Sequence, residues 1–125
     1  VDDNLVKLFV TDIDGTLMDS NKQIQGEDIT AIRQAHRQGV RMCLASGRMY
    51  EEIKVVMDVL EVPCYAICQN GATLVDCSGT VIVSNTFRSD LTLSVQHVTS
   101  SDDLVTVICS ADANYVRVRT PETNH

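Results

Sequence analysis

Leu8-Phe9-Val10-Thr11-Asp12-Ile13-Asp14-Gly15-Thr16-Leu17 is the stretch around which the chain is organised. The apolar run from Leu5 to Val10 predicts a buried strand, and two carboxylates follow it. Residues i and i+2 of an extended chain point the same way. Asp12 and Asp14 are therefore expected to project together where the strand ends. Gly15 permits a sharp turn and is expected to leave its amide open to a ligand. Two adjacent acids repel, so holding them together costs energy unless a cation or a shared proton compensates.

Outward from that stretch, Met18 to Ile24 is polar and turn-rich and predicts a short loop or hairpin over the strand end. Gly26 to Gln38 predicts a helix, with Glu27 and Asp28 in its first turn and Gly39 as its stop. Val40 to Ala45 predicts a second buried strand, parallel to the first because a helix links the two. Tyr50 to Leu60 carries Ile53, Val56, Met57 and Leu60 on one helical stripe. Tyr65 to Cys68 predicts a third strand. Ser46-Gly47-Arg48 and Gln69-Asn70-Gly71-Ala72 thus follow strand C-terminal ends, as Asp12 does. Ligands of open α/β sheets bind outside those ends, so three polar segments are expected to converge.

Beyond Ala72, Thr73 to Cys77 and Thr80 to Ser84 flank Ser78-Gly79 as a β-hairpin. Ser89 to Ser100 predicts a helix capped by Asp90, although Leu91, Leu93 and Val95 also alternate as a strand would. Leu104 to Cys109 and Asn114 to Arg119 predict strands around Ala111-Asp112-Ala113, the second having one wet face.

The chain has 125 residues, enough for one ordinary domain, and is 44% hydrophobic and 22% charged, a globular composition. A net charge of −7 argues against nucleic acid or an anionic membrane as the main partner. It leaves room for a phosphorylated small molecule, since one cation in a pocket outweighs a diffuse surface charge. No apolar run reaches the ~18 residues that span a membrane. Val1-Asp2-Asp3-Asn4 lacks a signal-peptide pattern and an initiator Met. The five cysteines are odd in number and contain no C-x-x-C, which reads as small buried thiols of a reducing cytoplasm. Cys64, Cys68 and Cys77 match no usual zinc spacing. His36 is expected to be a satisfied histidine beside the apolar face of its helix.

The residue types at the strand ends suit phosphoryl transfer, which needs an oxygen nucleophile, a proton for the leaving oxygen and positive charge on the nonbridging oxygens. Asp12 is ionised at neutral pH and can attack phosphorus. Asp14 can protonate the leaving group and then activate water. Mg2+, which prefers oxygen ligands, would compensate the paired acids. Amides from Ile13 to Gly15 and at Gly47, with the Ser46 hydroxyl, can cradle phosphate oxygens.

On these residues the sequence resembles the haloacid-dehalogenase-like (HAD) hydrolases, in particular subfamily IIB, the Cof-type phosphatases. Asp12-Ile13-Asp14-Gly15-Thr16-Leu17 matches motif I, D-x-D-G-T-L, Ala45-Ser46-Gly47-Arg48 looks like motif II, and Asn70-Gly71-Ala72 is similar to the segment after the third strand. The resemblance implies a Rossmann-like, three-layer α/β core with a parallel sheet and an inserted α/β cap. It implies Mg2+ held by Asp12 and Asp14, the latter through its main-chain carbonyl. Asp12 would be the nucleophile, Asp14 the acid/base and Ser46 a phosphate ligand, with Arg48, Asn70 and Gly71 on the substrate side. The substrate class would be small phosphate monoesters such as sugar phosphates, and the compartment cytoplasmic.

The family's motif III lysine and motif IV acidic pair find no match, since the lysines are Lys7, Lys22 and Lys54 and Ser101-Asp102-Asp103 lacks the motif IV context. The chain therefore reads as an N-terminal half. Residues 1–79 form part of the core, 80–119 begin the cap, and 120–125 are a frayed tail. An unpaired sheet edge with exposed apolar surface is then expected, and with it self-association. Alternatives to a phosphatase are a catalytically incomplete piece acting as a binding or assembly module, a phosphomutase, and a receiver-type phospho-acceptor domain. The last places its acceptor Asp after strand three, where this chain has Asn70.

Overall fold

Two successive strand–helix–strand crossovers build residues 8–68: β1 (Leu8–Asp12), α1 (Gly26–Arg37), β2 (Arg41–Ala45), α2 (Tyr50–Leu60) and β3 (Cys64–Cys68). A computed structural model describes residues 6–100, 105–111 and 113–116. β1 pairs with β2 and β2 with β3, both parallel. A 3-10 turn, Gln69–Gly71, then reverses the chain into β4 (Thr73–Val75), which runs antiparallel to β3. β5 (Val81–Ser84) adds to β4 in the same sense, completing a mixed sheet of order β1-β2-β3-β4-β5.

The core lies on one face of this sheet. Met42, Leu44, Cys64, Ala66, Cys68 and Val75 meet Ile32 of α1 and Ile53, Val56 and Leu60 of α2. Leu44, Ala66, Ile53 and Leu60 are wholly buried, each large aliphatic side chain contributing about 1.5–3 kcal/mol by leaving water. Within the first unit both helices cover this face. Within the first unit, no described helix covers the opposite face. Leu8, Val10, Cys43, Tyr65, Ile67 and Leu74 line a trough of about 600 Å3 there.

β1 departs from the buried strand that its sequence predicts. It ends at Asp12 rather than Val10, because pairing with β2 continues to Asp12 opposite Ala45. Its residues Leu8, Phe9 and Val10 are 52%, 42% and 48% exposed, because β1 is an outer strand of the sheet. Three cysteines, Cys43, Cys64 and Cys68, are buried as expected, whereas Cys77 and Cys109 are exposed, and none is in a disulfide. Burial pushes the Cys64 thiol up to about 12. His36 departs from the satisfied histidine expected: its Nδ1 is buried without a hydrogen-bond partner among the described residues.

The helix ends follow local chemistry. Gly39 takes φ +89°, and its N–H donates to His36 O while Val40 N–H donates to Ala35 O, the two bonds of a Schellman stop. At the end of α2, Glu61 adopts left-handed backbone with φ 55°. Arg33 reaches across from α1, its Nε donating to Leu60 O at 2.8 Å and its Nη2 to Val59 O at 3.3 Å. The same guanidinium pairs with Glu61 at 2.7 Å. One side chain thus satisfies the orphan carbonyls of α2 and fixes the angle between the helices.

The chain divides after Asn85 into two compact units. β5 hydrogen-bonds to β4 and lies in the first unit. The second unit contains α3 (Ser89–Val98) and a hairpin of β6 (Val107–Cys109) and β7 (Asn114–Val116). α3 is a helix, as its length predicts, but Arg88 rather than Asp90 is its N-cap; Asp90 sits in the first turn and pairs with Arg88. Leu104, Asp112, Arg117, Arg119, the Asp102-Asp103 pair and the tail 120–125 lie outside the described residues.

Removing the Arg33 contacts leaves carbonyls at the α2 terminus without a protein donor. Arg33→Ala is expected to lower stability by about 1–2 kcal/mol, with thermal unfolding followed by circular dichroism as the check. Arg33→Lys, which loses the planar fork, should recover less than half of that loss.

Candidate active site

Asp12 is the last residue of β1, and the chain turns immediately after it. Ile13 is wholly buried in the core while the Asp12 and Asp14 side chains face solvent, so the two acids share a side as the strand alternation predicts. Gly15, at φ +78°, turns the chain back, and Asp14 forms an isolated bridge with Met18. The Gly15 amide is not open to a ligand as expected: it donates to Met18 O at 3.0 Å, closing the turn. Met18 N–H donates to Ile13 O at 2.8 Å.

The segment after β2 is stitched to the segment after β3. Ser46 N–H donates to Ile67 O at 2.9 Å, Asn70 N–H to Ser46 O at 3.2 Å, and Gln69 N–H to Arg48 O at 3.0 Å. Asn70 takes left-handed backbone at φ 58°, a region Asn tolerates better than most residues. Its side chain sits over Gly47. A Cβ at Gly47 would lie 3.1 Å from Asn70 Oδ1, so any larger residue would push the amide away. Ser46 Oγ accepts Arg48 N–H at 3.2 Å, which leaves its hydroxyl hydrogen free to donate outward. Ser46 does not cap α2; Met49 is the N-cap, its N–H donating to Glu52 Oε2 at 2.9 Å.

Arg48 joins these two segments to the first. Its Nε donates to Asp14 Oδ2 at 2.8 Å and its Nη2 to Asp14 Oδ1 at 2.7 Å, a bidentate ion pair. Lys22 Nζ approaches the same Oδ1 at 2.6 Å. The two cations hold the Asp14 carboxyl well below the usual carboxylate range, Arg48 contributing most. Asp12 Oδ2 accepts only the Thr16 hydroxyl, at 3.1 Å, among the described residues. The repulsion between the paired acids is thus relieved at Asp14 by side chains, and Asp12 keeps its carboxylate open.

Lys22 is the residue that sequence reading overlooks at this site. The available signal was Asp19-Ser20-Asn21-Lys22, turn chemistry soon after the acids, which folds the loop back over the strand end. Among the described residues, no three His, Cys, Asp or Glu side chains are grouped to hold a metal ion, Cys64, Cys68 and Cys77 included. No helix among them is long and apolar enough to cross a membrane.

Known proteins are similar to this chain in sequence and fold. The curated relatives include a phosphatase of Bacillus subtilis, YwpJ, 34% identical over 74 residues, which are 59% of this chain and 26% of that protein. A solved haloacid dehalogenase-like hydrolase from B. subtilis superposes with TM-score 0.83 at 26% identity, covering 94% of this chain and 41% of the other. A solved HAD subclass IIB sugar phosphatase shares the fold with TM-score 0.74 at 21% identity, over 89% of this chain and 44% of that one. The chain therefore spans less than half the length of these relatives. The family model for haloacid dehalogenase-like hydrolases matches residues 9–124, a span that takes in Asp12, Asp14, Ser46-Gly47-Arg48 and Asn70-Gly71. By that match, the chain belongs to the haloacid dehalogenase-like hydrolases.

Proposed function

We propose that the chain carries the nucleophile half of an Mg2+-dependent phosphatase acting on small phosphate monoesters, sugar phosphates or similar, in the cytoplasm. The observation that carries this reading is the convergence of Asp12-Asp14, Ser46-Gly47-Arg48 and Asn70-Gly71 at the C-terminal ends of three parallel strands, tied by the Arg48–Asp14 pair. Asp12 attacks phosphorus, its oxygen bonding to phosphorus as the ester P–O bond breaks. Asp14, once released from the Arg48 and Lys22 contacts that keep it ionised, gives a proton to the departing oxygen, then takes one from the water that hydrolyses the aspartyl-phosphate. The Gly47 amide and Ser46 hydroxyl donate to nonbridging oxygens, while Arg48, Asn70 and Gly71 face the leaving group.

The open Asp12 carboxylate is a hard oxygen donor and fits Mg2+. The Asp14 carboxylate is committed to Arg48 and Lys22, so Asp14 would contribute its main-chain carbonyl. Mg2+ bound there would supply positive charge to the phosphate oxygens.

A second reading is favoured by the open sheet face. Leu8 and Val10 on β1 are about half exposed, and β1 pairs only with β2 among the described residues. An unpaired apolar edge supports self-association, and a chain that associates without turnover would be an assembly module.

Turnover of a generic phosphate ester with Mg2+ is expected to fall at least about a thousandfold in Asp12→Asn, since the amide is no nucleophile. Unchanged turnover would contradict the assignment. No turnover by these 125 residues, with activity in a longer chain, would place the deficit in the missing length. Sedimentation should show concentration-dependent association that Val10→Lys reverses, because a charge on the edge opposes pairing.

A further inference from the structure

We propose that Lys22 is a phosphate ligand of this site, paired with Arg48, and that both cations lie on Asp14 only while no phosphate is bound. This inference rests on the phosphoryl-transfer reading of the same site and adds a residue to it. Three observations carry it.

The first is charge placement. Lys22 Nζ and Arg48 Nη2 share a single carboxylate oxygen, Asp14 Oδ1, at 2.6 and 2.7 Å. One carboxylate answers two full cations, so the pair retains a positive charge beside the open Asp12. The second is donor capacity. An ammonium has three donors and a guanidinium five, and Asp14 takes one from Lys22 and two from Arg48. The Lys22 side chain is 63% exposed, so its remaining donors face the solvent from which an anion would arrive.

The third is the way the lysine is presented. Asp19 Oδ1 accepts the N–H groups of Asn21 and Gln23, both at 2.9 Å, and Asp19 Oδ2 accepts Gln25 Nε2 at 3.2 Å. Lys22 N–H closes the turn on Asp19 O at 3.0 Å, and Lys22 itself sits at φ 61°, a conformation unusual for a lysine. The Met18 end of the loop is fixed to Ile13 and Gly15. The loop therefore carries the ammonium to the strand end on a built support. A phosphate beside Asp12 offers three oxygens to the two cations in place of one carboxylate, and charge-assisted bonds to phosphate are at least as favourable. Its arrival transfers Lys22 and Arg48 from Asp14 to the ligand.

The test is titration of the 125-residue chain with inorganic phosphate in the presence of Mg2+, read from the amide resonances of Gly47 and Asn70. Lys22→Met is expected to weaken phosphate binding about tenfold. Lys22→Arg, which restores the charge, should stay within about threefold. Melting without phosphate checks that Lys22→Met stays folded after losing its Asp14 contact, and a lysine confined to neutralising Asp14 would shift that melting while leaving phosphate binding alone. Phosphate bound equally well by Lys22→Met overturns the assignment while leaving Asp12 as nucleophile. No saturable binding by the unmodified chain overturns both.

Discussion

The bidentate contact of Arg48 with Asp14 is the constraint on which the site depends. Two acids placed two residues apart at a strand end repel each other and would splay their loop without compensation. Arg48 supplies it from the loop after β2, so relieving the charge also fixes the distance between two loops. The backbone bonds of Ser46 and Arg48 to Asn70 and Gln69 extend the tie to the third loop. A planar guanidinium serves here because a carboxylate accepts both prongs of its fork. The parallel sheet beneath makes the arrangement achievable, since successive helical crossovers return each strand in the same direction and leave the three loops side by side.

Much of this was legible locally. The shared side of Asp12 and Asp14 follows from a period of two, and the limits of α2 follow from its stripe and from Val62-Pro63. The stop at Gly39 needs only a residue content with positive φ. These features depend on a few neighbouring residues. The D-x-D-G-T-L match, together with Ala45-Ser46-Gly47-Arg48 and Asn70-Gly71-Ala72, likewise pointed to the family from short local segments.

What the sequence concealed depends on partners distant along the chain. Lys22 reaches Asp14 because Asp19 gathers three donors into one turn, which no hydrophobic pattern reports. Gly15 was read as offering its amide, but the chain uses that donor to close on Met18. The apolar run of β1 signalled burial, yet an outer strand is buried only if something lies beside it. The hairpin after β3 was visible, whereas its membership of the main sheet rested on pairing between β3 and β4. Ser46 lies before the start of α2 and turns its hydroxyl oxygen toward Arg48 N–H.

The most direct test is where phosphorus goes. The chain is incubated briefly with a reactive phosphate ester and Mg2+, quenched in acid, digested and weighed peptide by peptide. The account predicts one phosphoryl group on the peptide holding Asp12 and none on that peptide in Asp12→Asn. A label carried by another peptide, or an unlabelled Asp12 peptide while the ester is consumed, would contradict it.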